Sequence, residues 1–103
     1  MPDNVQVRVS QNGDIYCKPD PHPMIHHTER MIRWHSNQIE FEIKFLNGSP
    51  FVTGEEILVS TNKWTVEKEV KQPDEGGMDA YVYEVREQNS TRQATDPGLI
   101  VRR

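Results

Sequence analysis

Two alternating segments, residues 31–35 and 41–45, constrain the fold of this chain more than any other stretch. Apolar side chains recur at Ile32 and Trp34 in the first segment and at every second position from Phe41 in the second. A period of two is typical of strands that bury one face and leave the other in water. We therefore expect two strands that follow each other along the chain and whose inward faces carry Trp34 and Phe41.

The same alternation recurs along the rest of the chain. Short strand-like segments stand at residues 5–9, 15–18, 57–60, 63–70, 80–86 and 99–102. Asn12-Gly13 and Thr61-Asn62 predict turns between strands. Pro19, Pro21 and Pro23 disfavour a helix, so residues 19–27 are expected to run as an extended edge or a loop with Met24 and Ile25 buried. Seven to eight short strands without a convincing helix predict an all-β, antiparallel β-sandwich.

Length and charge limit the classes of partner. A chain of 103 residues suffices for one core, so residues 1–103 are expected to form a single domain. Its net charge of −4 gives no general attraction to nucleic acid or to an anionic membrane, and neither is expected as a partner. The start, MPDNVQV, has no basic segment followed by an apolar run, which favours a cytoplasmic protein. A secreted form with its leader removed stays open as an alternative.

The order of the predicted strands resembles the cupredoxin family, the small Greek-key sandwiches that carry blue copper. The resemblance covers residues 5–102 and rests on three segments. These are residues 31–34 with the F-x-I-x-F strand at 41–45, the Y-x-Y-x-V strand at 81–85, and the closing DPGLIV at 96–101. It implies a Greek-key β-sandwich, although an immunoglobulin-like sandwich could show similar strand patterns.

The resemblance also implies where copper ligands would stand. A His would open the strand at residues 41–45, where this chain has Phe41, and a Cys would close the strand at 81–85, where it has Val85. The second His and the axial Met would come from residues 86–97, which contain neither. Because Phe and Val offer no lone pairs to a metal, we expect a copper-free member with no cofactor and an apolar, packed end in place of the site.

Four histidines, His22, His26, His27 and His35, lie within fourteen positions. Neutral imidazole is a good ligand for zinc, copper and nickel, so this segment is an alternative metal site. Side chains at adjacent strand positions point to opposite faces, which makes His22 with His26, or His27 with His35, the easier pairs. Closed structural sites usually need four ligands. We therefore expect a solvated edge without metal and keep metal handling as the alternative function.

Two further residue types have both a structural and a functional interpretation. Cys17, the single cysteine, is expected to be a buried small hydrophobe and not a reactive thiol, since no positive charge is placed to lower its pKa. Trp34, Trp64, Tyr81 and Tyr83 could form a stacking platform for sugars or bases, but their places on apolar strand faces favour the core.

The leading hypothesis is a copper-free, cupredoxin-like binding module that has no catalytic role and contacts an unidentified protein or small ligand. We expect its contacts at loops gathered at one end of the sandwich, residues 47–55 and 87–97. The candidate site residues there are Phe51, as an exposed anchor, with Asn47 and Asn89. An enzyme is the weakest alternative, because no nucleophile elbow, phosphate-binding glycine loop or dinucleotide fingerprint is present.

Overall fold

The computed structural model describes residues 2–74, 76–94 and 97–103, and these residues form ten strands and no helix. The strands are β1 (Asp3–Val9), β2 (Ile15–Lys18), β3 (His22–Ile25), β4 (Met31–His35), β5 (Phe41–Phe45), β6 (Ile57–Val59), β7 (Lys68–Glu69), β8 (Met78–Glu87), β9 (Gln93–Ala94) and β10 (Gly98–Arg102). The all-β prediction is confirmed. Asp96, which begins the closing segment of the predicted pattern, lies outside the described residues.

The strands form two sheets that share one core. The first sheet has the order β2-β1-β4-β7, and the second has the order β3-β10-β8-β5-β6, with the short β9 also paired to β8. β8 is long enough to pair with β10 along its first half and with β5 along its second half. Trp34 of the first sheet packs edge-on against Phe45 and Tyr83 of the second, with ring centroids 6.0 and 5.7 Å apart. This layered arrangement is that of a β-sandwich.

The prediction of a purely antiparallel sandwich is wrong, because both sheets are mixed. β1 runs parallel to β4 in the first sheet, and β3 runs parallel to β10 in the second. Parallel neighbours need a crossover, and here the chain passes through β3 in the second sheet before it returns as β4 beside β1. A half-buried strand alternates in the same way whichever direction its neighbour runs, so the sequence pattern could not distinguish the two cases.

The structure has ten strands among the described residues, more than the seven to eight predicted, and the strand predicted at residues 63–70 is shorter than expected. β3 forms in the proline-rich segment, and β9 pairs two residues with the end of β8. Residues 63–70 were expected to form one strand, but only Lys68–Glu69 does so. Thr65 explains the difference, because its N–H donates to the carbonyl of Trp34 and its Oγ1 accepts the N–H of Trp34. A hydroxyl thereby takes the place of a backbone carbonyl, and no regular ladder forms at this position.

Burial confirms part of the predicted core. Trp34 and Phe41 are fully buried, and Cys17 is 5% exposed. Trp64 is not in the core: it lies half-buried on the outer face of the first sheet, where its ring is 4.0 Å from that of His35 and 4.2 Å from the guanidinium carbon of Arg33. Its outward position follows from the inward turn of its neighbour, Thr65.

The burial prediction for the proline-rich segment is half right. Met24 is 1% exposed, as expected, but Ile25 is 52% exposed. The residues that share the inward face with Met24 are His22 and His26, each 7% exposed. Buried residues therefore alternate from His22 through Met24 to His26. The composition of the segment, which is polar and rich in proline, did not indicate that the two histidines are buried.

Candidate binding surface

The outer surface of the second sheet is apolar over the half formed by β3, β10 and the first part of β8. Its side chains belong to Pro23, Ile25, Met78, Ala80, Val82 and Ile100, and we call this set the apolar face. Ile100 pairs with Pro23 on one side and with Ala80 on the other. Ile25 and Met78 are 52% and 53% exposed. A sheet with one face in water normally alternates apolar residues with polar ones, so a solvent-facing apolar half needs an explanation.

The apolar face ends partway along β8, and exposed apolar side chains occur on this sheet again only at the far edge strand, β6, among the described residues. Further along β8 the outward positions change to Glu84 and Arg86, and the neighbouring β5 presents Glu42 and Lys44. The same strand therefore has an apolar and a charged outer half. The boundary lies where the partner of β8 changes from β10 to β5.

Arg102 provides a positive charge within the apolar face. It pairs with Ile25 on β3 and with Met78 on β8, so apolar side chains lie on both sides of it. Arg102 is exposed and forms no ion pair with any residue that the structure describes. An arginine among exposed apolar side chains is the combination that is enriched where protein surfaces bind one another.

Asn47 lies at the border of the apolar face. Its Oδ1 accepts the N–H of Val82 at 3.0 Å, and its Nδ2 donates to the carbonyl of Ala80 at 3.2 Å. The side chain thus pairs with an edge of β8 that none of the described strands covers at this point. Leu46, 48% exposed, is beside it. Of the three predicted site residues, Asn47 is the one that adjoins the apolar face, and its role there is structural.

Phe51 is not the exposed anchor that the sequence predicted. It is fully buried, with its ring 5.3 Å from that of Phe45 and 6.2 Å from that of Trp34. Its backbone forms a bridge with Val70, which holds the loop against the core. A large aromatic residue in an otherwise polar loop anchors this loop by burial.

Asn89 lies far from Asn47. β5 and β8 are antiparallel, so the loops that follow these two strands leave from opposite ends of the pair. The prediction that both loops meet at one end is therefore wrong. Asn89 has a positive φ of 62° in the turn after β8 and lines a shallow cleft of about 350 Å³ together with Glu42, Arg86 and Gln88. Residues 95 and 96 of the second predicted loop lie outside the described residues.

The four histidines do not come together. His22 Nε2 is 3.1 Å from Asp3 Oδ2, and His26 Nε2 is 3.0 Å from the carbonyl of Val70. A carbonyl only accepts, so His26 must carry its proton on Nε2. His22 and His26 face the same way but are four residues apart, which is roughly 13 Å along a strand and too far to share an ion. His27 is exposed beyond β3, and His35 lies on the outer face of the other sheet. Within the described ranges no group of three or more His, Cys, Asp or Glu side chains could hold a metal ion.

Two positions at which the resemblance would place copper ligands are occupied by packed apolar side chains. Phe41 and Val85 both have no exposed surface. A hydrogen-bonded polar group lies next to them at the same end of the sandwich, where Glu40 Oε1 accepts from Ser60 Oγ at 2.7 Å and from the N–H of Lys63 at 2.8 Å. The hydrogen bond from Ser60, followed by that from Lys63, lowers the pKa of Glu40. These contacts close the end of the sandwich around Phe41.

Cys17 has no feature of a reactive thiol. Burial raises its pKa to about 12 and outweighs the hydrogen bond with Tyr83, which lowers it. The Tyr83 hydroxyl also accepts the Nε1–H of Trp34 at 3.3 Å, so these three side chains are linked inside the core. The interpretation of Cys17 as a buried small hydrophobe is confirmed.

The apolar face was missed by the sequence reasoning, although a signal for it exists. Leu99, Ile100 and Val101 form an uninterrupted apolar run, and Val82 stands on the outward side of a strand whose inward side carries Tyr81 and Tyr83. Continuous apolar runs are typical of strands that are covered on both faces.

The described residues contain no helix that is long and apolar enough to cross a membrane.

Comparison of the chain with known proteins gives no relative: no protein family, curated protein or solved structure matches it.

Proposed function

We propose that this chain is a copper-free, cupredoxin-like domain that works as a protein-interaction module and not as an enzyme. The observation that carries the interaction role is the apolar face, half of an outer sheet surface that is left to solvent. The partner has an apolar surface of its own and a carboxylate that meets Arg102. This replaces the loops as the expected contact surface, because the apolar face is continuous, whereas the loops at residues 47–55 and 87–97 stand at opposite ends of the β5–β8 pair.

Support for the cupredoxin-like part comes from the segments that carry the resemblance. Residues 31–34 lie in β4, the F-x-I-x-F segment is β5, the Y-x-Y-x-V segment lies within β8, and the closing segment contributes β10. Phe41 and Val85, which stand where the resemblance places a His and a Cys ligand, are buried apolar side chains. Under this proposal the two positions carry apolar side chains and offer no ligand atoms to copper.

The interaction role rests on energetics as well as on pattern. Burying apolar surface stabilises a complex by about 25 cal/mol per Å², and interface cores are depleted in charged residues. Arg102 can form a charge-assisted hydrogen bond with a carboxylate inside a desolvated surface, where such bonds contribute most. Arg102 is the last residue of β10, and Ile25 and Met78 flank it on the two neighbouring strands, so apolar side chains lie on both sides of this bond.

The test first finds the partner by its position and then measures its affinity. A photo-crosslinking phenylalanine derivative replaces Met78 in one variant and Val66, an apolar residue 68% exposed elsewhere, in a matched control. In the cells that produce the protein, we expect a specific adduct from position 78 and not from position 66. The adduct protein is then purified and titrated by calorimetry against the unmodified chain and its variants.

We expect Ile25→Lys to weaken this binding about tenfold or more, because a lysine must be desolvated in the interface, a loss of about 1.4 kcal/mol or more. Arg102→Gln should weaken binding and also make the affinity less dependent on salt, since the charge pair is lost. Val66→Lys should leave the affinity unchanged. Adducts that form equally at both positions, or an affinity that Ile25→Lys leaves unaltered, would refute the proposed surface.

A further inference from the structure

Two asparagines of this chain are followed by glycine, in the pairs Asn12-Gly13 and Asn47-Gly48. An asparagine in such a pair can lose its side-chain amide spontaneously, because the backbone nitrogen of the next residue can reach the side-chain carbonyl carbon. Glycine makes this approach easiest, since it has no Cβ in the way and its backbone adopts many conformations. Both pairs have the same local sequence, so a difference between their reactivities in the folded protein comes from the structure.

The reaction needs only water. The backbone nitrogen of the glycine loses its proton to solvent and bonds to Cγ of the asparagine. The Cγ–Nδ2 bond then breaks, and Nδ2 takes up a proton and leaves as ammonia. Water opens the five-membered ring at either of its two carbonyls and gives aspartate or isoaspartate, so one water is consumed for each ammonia released. Ring closure therefore requires a side-chain amide that is free to turn toward the glycine nitrogen.

The side chain of Asn47 is not free to turn in this way. Its Oδ1 accepts the N–H of Val82 at 3.0 Å, and its Nδ2 donates to the carbonyl of Ala80 at 3.2 Å. The backbone just before it is held to the same strand, because the N–H of Leu46 donates to the carbonyl of Val82 at 2.9 Å. Ring closure at Asn47 must therefore break both side-chain hydrogen bonds with β8.

Asn12 lies exposed in the turn between β1 and β2, and its side chain has no hydrogen-bond partner among the described residues. The N–H of Gly13 donates to the carbonyl of Ser10 at 3.0 Å, so one bond holds the attacking nitrogen. A Cβ on Gly13 would lie 3.9 Å from Nη2 of Arg92, which places a positive charge beside this glycine. Such a charge favours loss of the proton and stabilises the negative charge that develops on the attacked carbonyl.

We propose that Asn12 is the deamidation site of the native protein and that pairing with β8 protects Asn47. Asn47 must break two hydrogen bonds, whereas the turn at Asn12 must release one. The difference of one hydrogen bond is equivalent to about fivefold in rate. The guanidinium of Arg92 beside Gly13 acts in the same direction.

Modification would have different consequences at the two positions. A carboxylate at position 12 is exposed and close to Arg92, so the β1–β2 hairpin keeps its fold. A carboxylate at position 47 would place an oxygen where Nδ2 now donates, opposite the carbonyl oxygen of Ala80. Protection of Asn47 thus preserves the border of the apolar face, although deamidation at Asn12 does not depend on the function proposed for that face.

Peptide mapping by mass spectrometry tests the proposal on the whole chain, kept at mildly alkaline pH either in native buffer or in concentrated urea. In the native protein, aspartate and isoaspartate should form at Asn12 faster than at Asn47 by about fivefold or more. In urea both sets of hydrogen bonds are lost, so the two rates should become similar. Comparable native rates, a faster reaction at Asn47, no reaction at Asn12, or the same ratio in urea would overturn the proposal.

Variants that carry the product residue test the reason for the protection. Asn47→Asp should lower the melting temperature by about 4 °C or more, because the carbonyl of Ala80 loses its donor, and should shift the NMR signal of the Val82 amide. The matched control Asn12→Asp should change the melting temperature by less than about 4 °C and leave that signal in place. Equal effects of the two variants would show that β8 does not hold Asn47, and would overturn the proposal. Asn12→Gln, whose longer side chain closes a ring far more slowly, should remove the main native product.

Discussion

Trp34→Ala tests the packing of the core most directly. The indole is fully buried and lies edge-on to the rings of Phe45, Phe51 and Tyr83, with centroids 6.0, 6.2 and 5.7 Å away. Its Nε1–H also donates to the Tyr83 hydroxyl. Truncating a buried tryptophan to alanine costs about 3 to 5 kcal/mol through lost transfer energy and the cavity that remains. The lost ring contacts and hydrogen bond place the expected value in the upper part of that range.

The assay is equilibrium unfolding followed by far-ultraviolet circular dichroism, which does not depend on tryptophan fluorescence. A domain of this size has a total stability of about 5 to 15 kcal/mol, so the variant should retain only part of it. A loss of about 4 to 5 kcal/mol should lower the melting temperature by roughly 16 to 40 °C, because each kcal/mol is equivalent to about 4 to 8 °C.

Trp64→Ala is the matched control for this variant. Trp64 is half-buried and packs on Arg33 and His35 at the surface, so we expect a loss of about 1 kcal/mol, similar to an exposed cation–π contact. A loss under 1 kcal/mol for Trp34→Ala, or equal losses for the two variants, would show that the described inward face of β4 is wrong.

Three further predictions concern titratable or hydrogen-bonding groups. His26→Ala should lower the free energy of unfolding by about 1 to 3 kcal/mol, because the buried carbonyl of Val70 loses its hydrogen-bond donor. The control His27→Ala, at an exposed position, should change it by less than about 0.5 kcal/mol. Equal effects would contradict the hydrogen bond from His26 to Val70. Cys17, whose pKa burial raises to about 12, should resist alkylation by iodoacetamide at pH 8 in the native state and react in urea; rapid native labelling would refute its burial. Burial, with the charges of Arg33 and Lys63, lowers the pKa of His35 below its usual 6.5. The contribution of neutral His35 to the stability of the fold is therefore fully present above pH 6.5 and is lost as the pH falls through the folded-state pKa. His35→Phe should therefore make the decline of melting temperature on acidification shallower, and an unchanged slope would contradict this.

Strand positions and inward faces were largely predictable, because alternation is a local property of the chain. β1, β2, β4, β5 and β10 lie within or close to the predicted segments. The buried faces of β4 and β5 carry the predicted Trp34 and Phe41. The absence of suitable ligand atoms at Phe41 and Val85 was also readable, since it depends only on residue type. None of these inferences needed the identity of a neighbouring strand.

The candidate surface was not predictable in the same way. Whether Met78 and Val82 are covered depends on what lies over the sheet, and a strand with apolar residues on both faces has the same sequence in either case. Asn47 and Asn89 both lie in polar loops, and only the pairing of β5 with β8 places them at opposite ends. The burial of the histidine segment was also hard to predict. His22, Met24 and His26 share one inward face, whereas the polar, proline-rich composition of the segment suggested that its histidines lie in solvent.

The sequence by itself determined that the chain is an all-β domain, which faces of its central strands are buried, and that Phe41 and Val85 cannot ligate copper. The tertiary structure decided the parallel pairings of β1 with β4 and of β3 with β10, and the outward position of Trp64. It also decided which outer sheet surface is exposed among the residues that the structure describes. The physical reason is range: alternation and ligand chemistry act within a few residues, whereas strand order and exposure arise from contacts between segments that are distant in the chain.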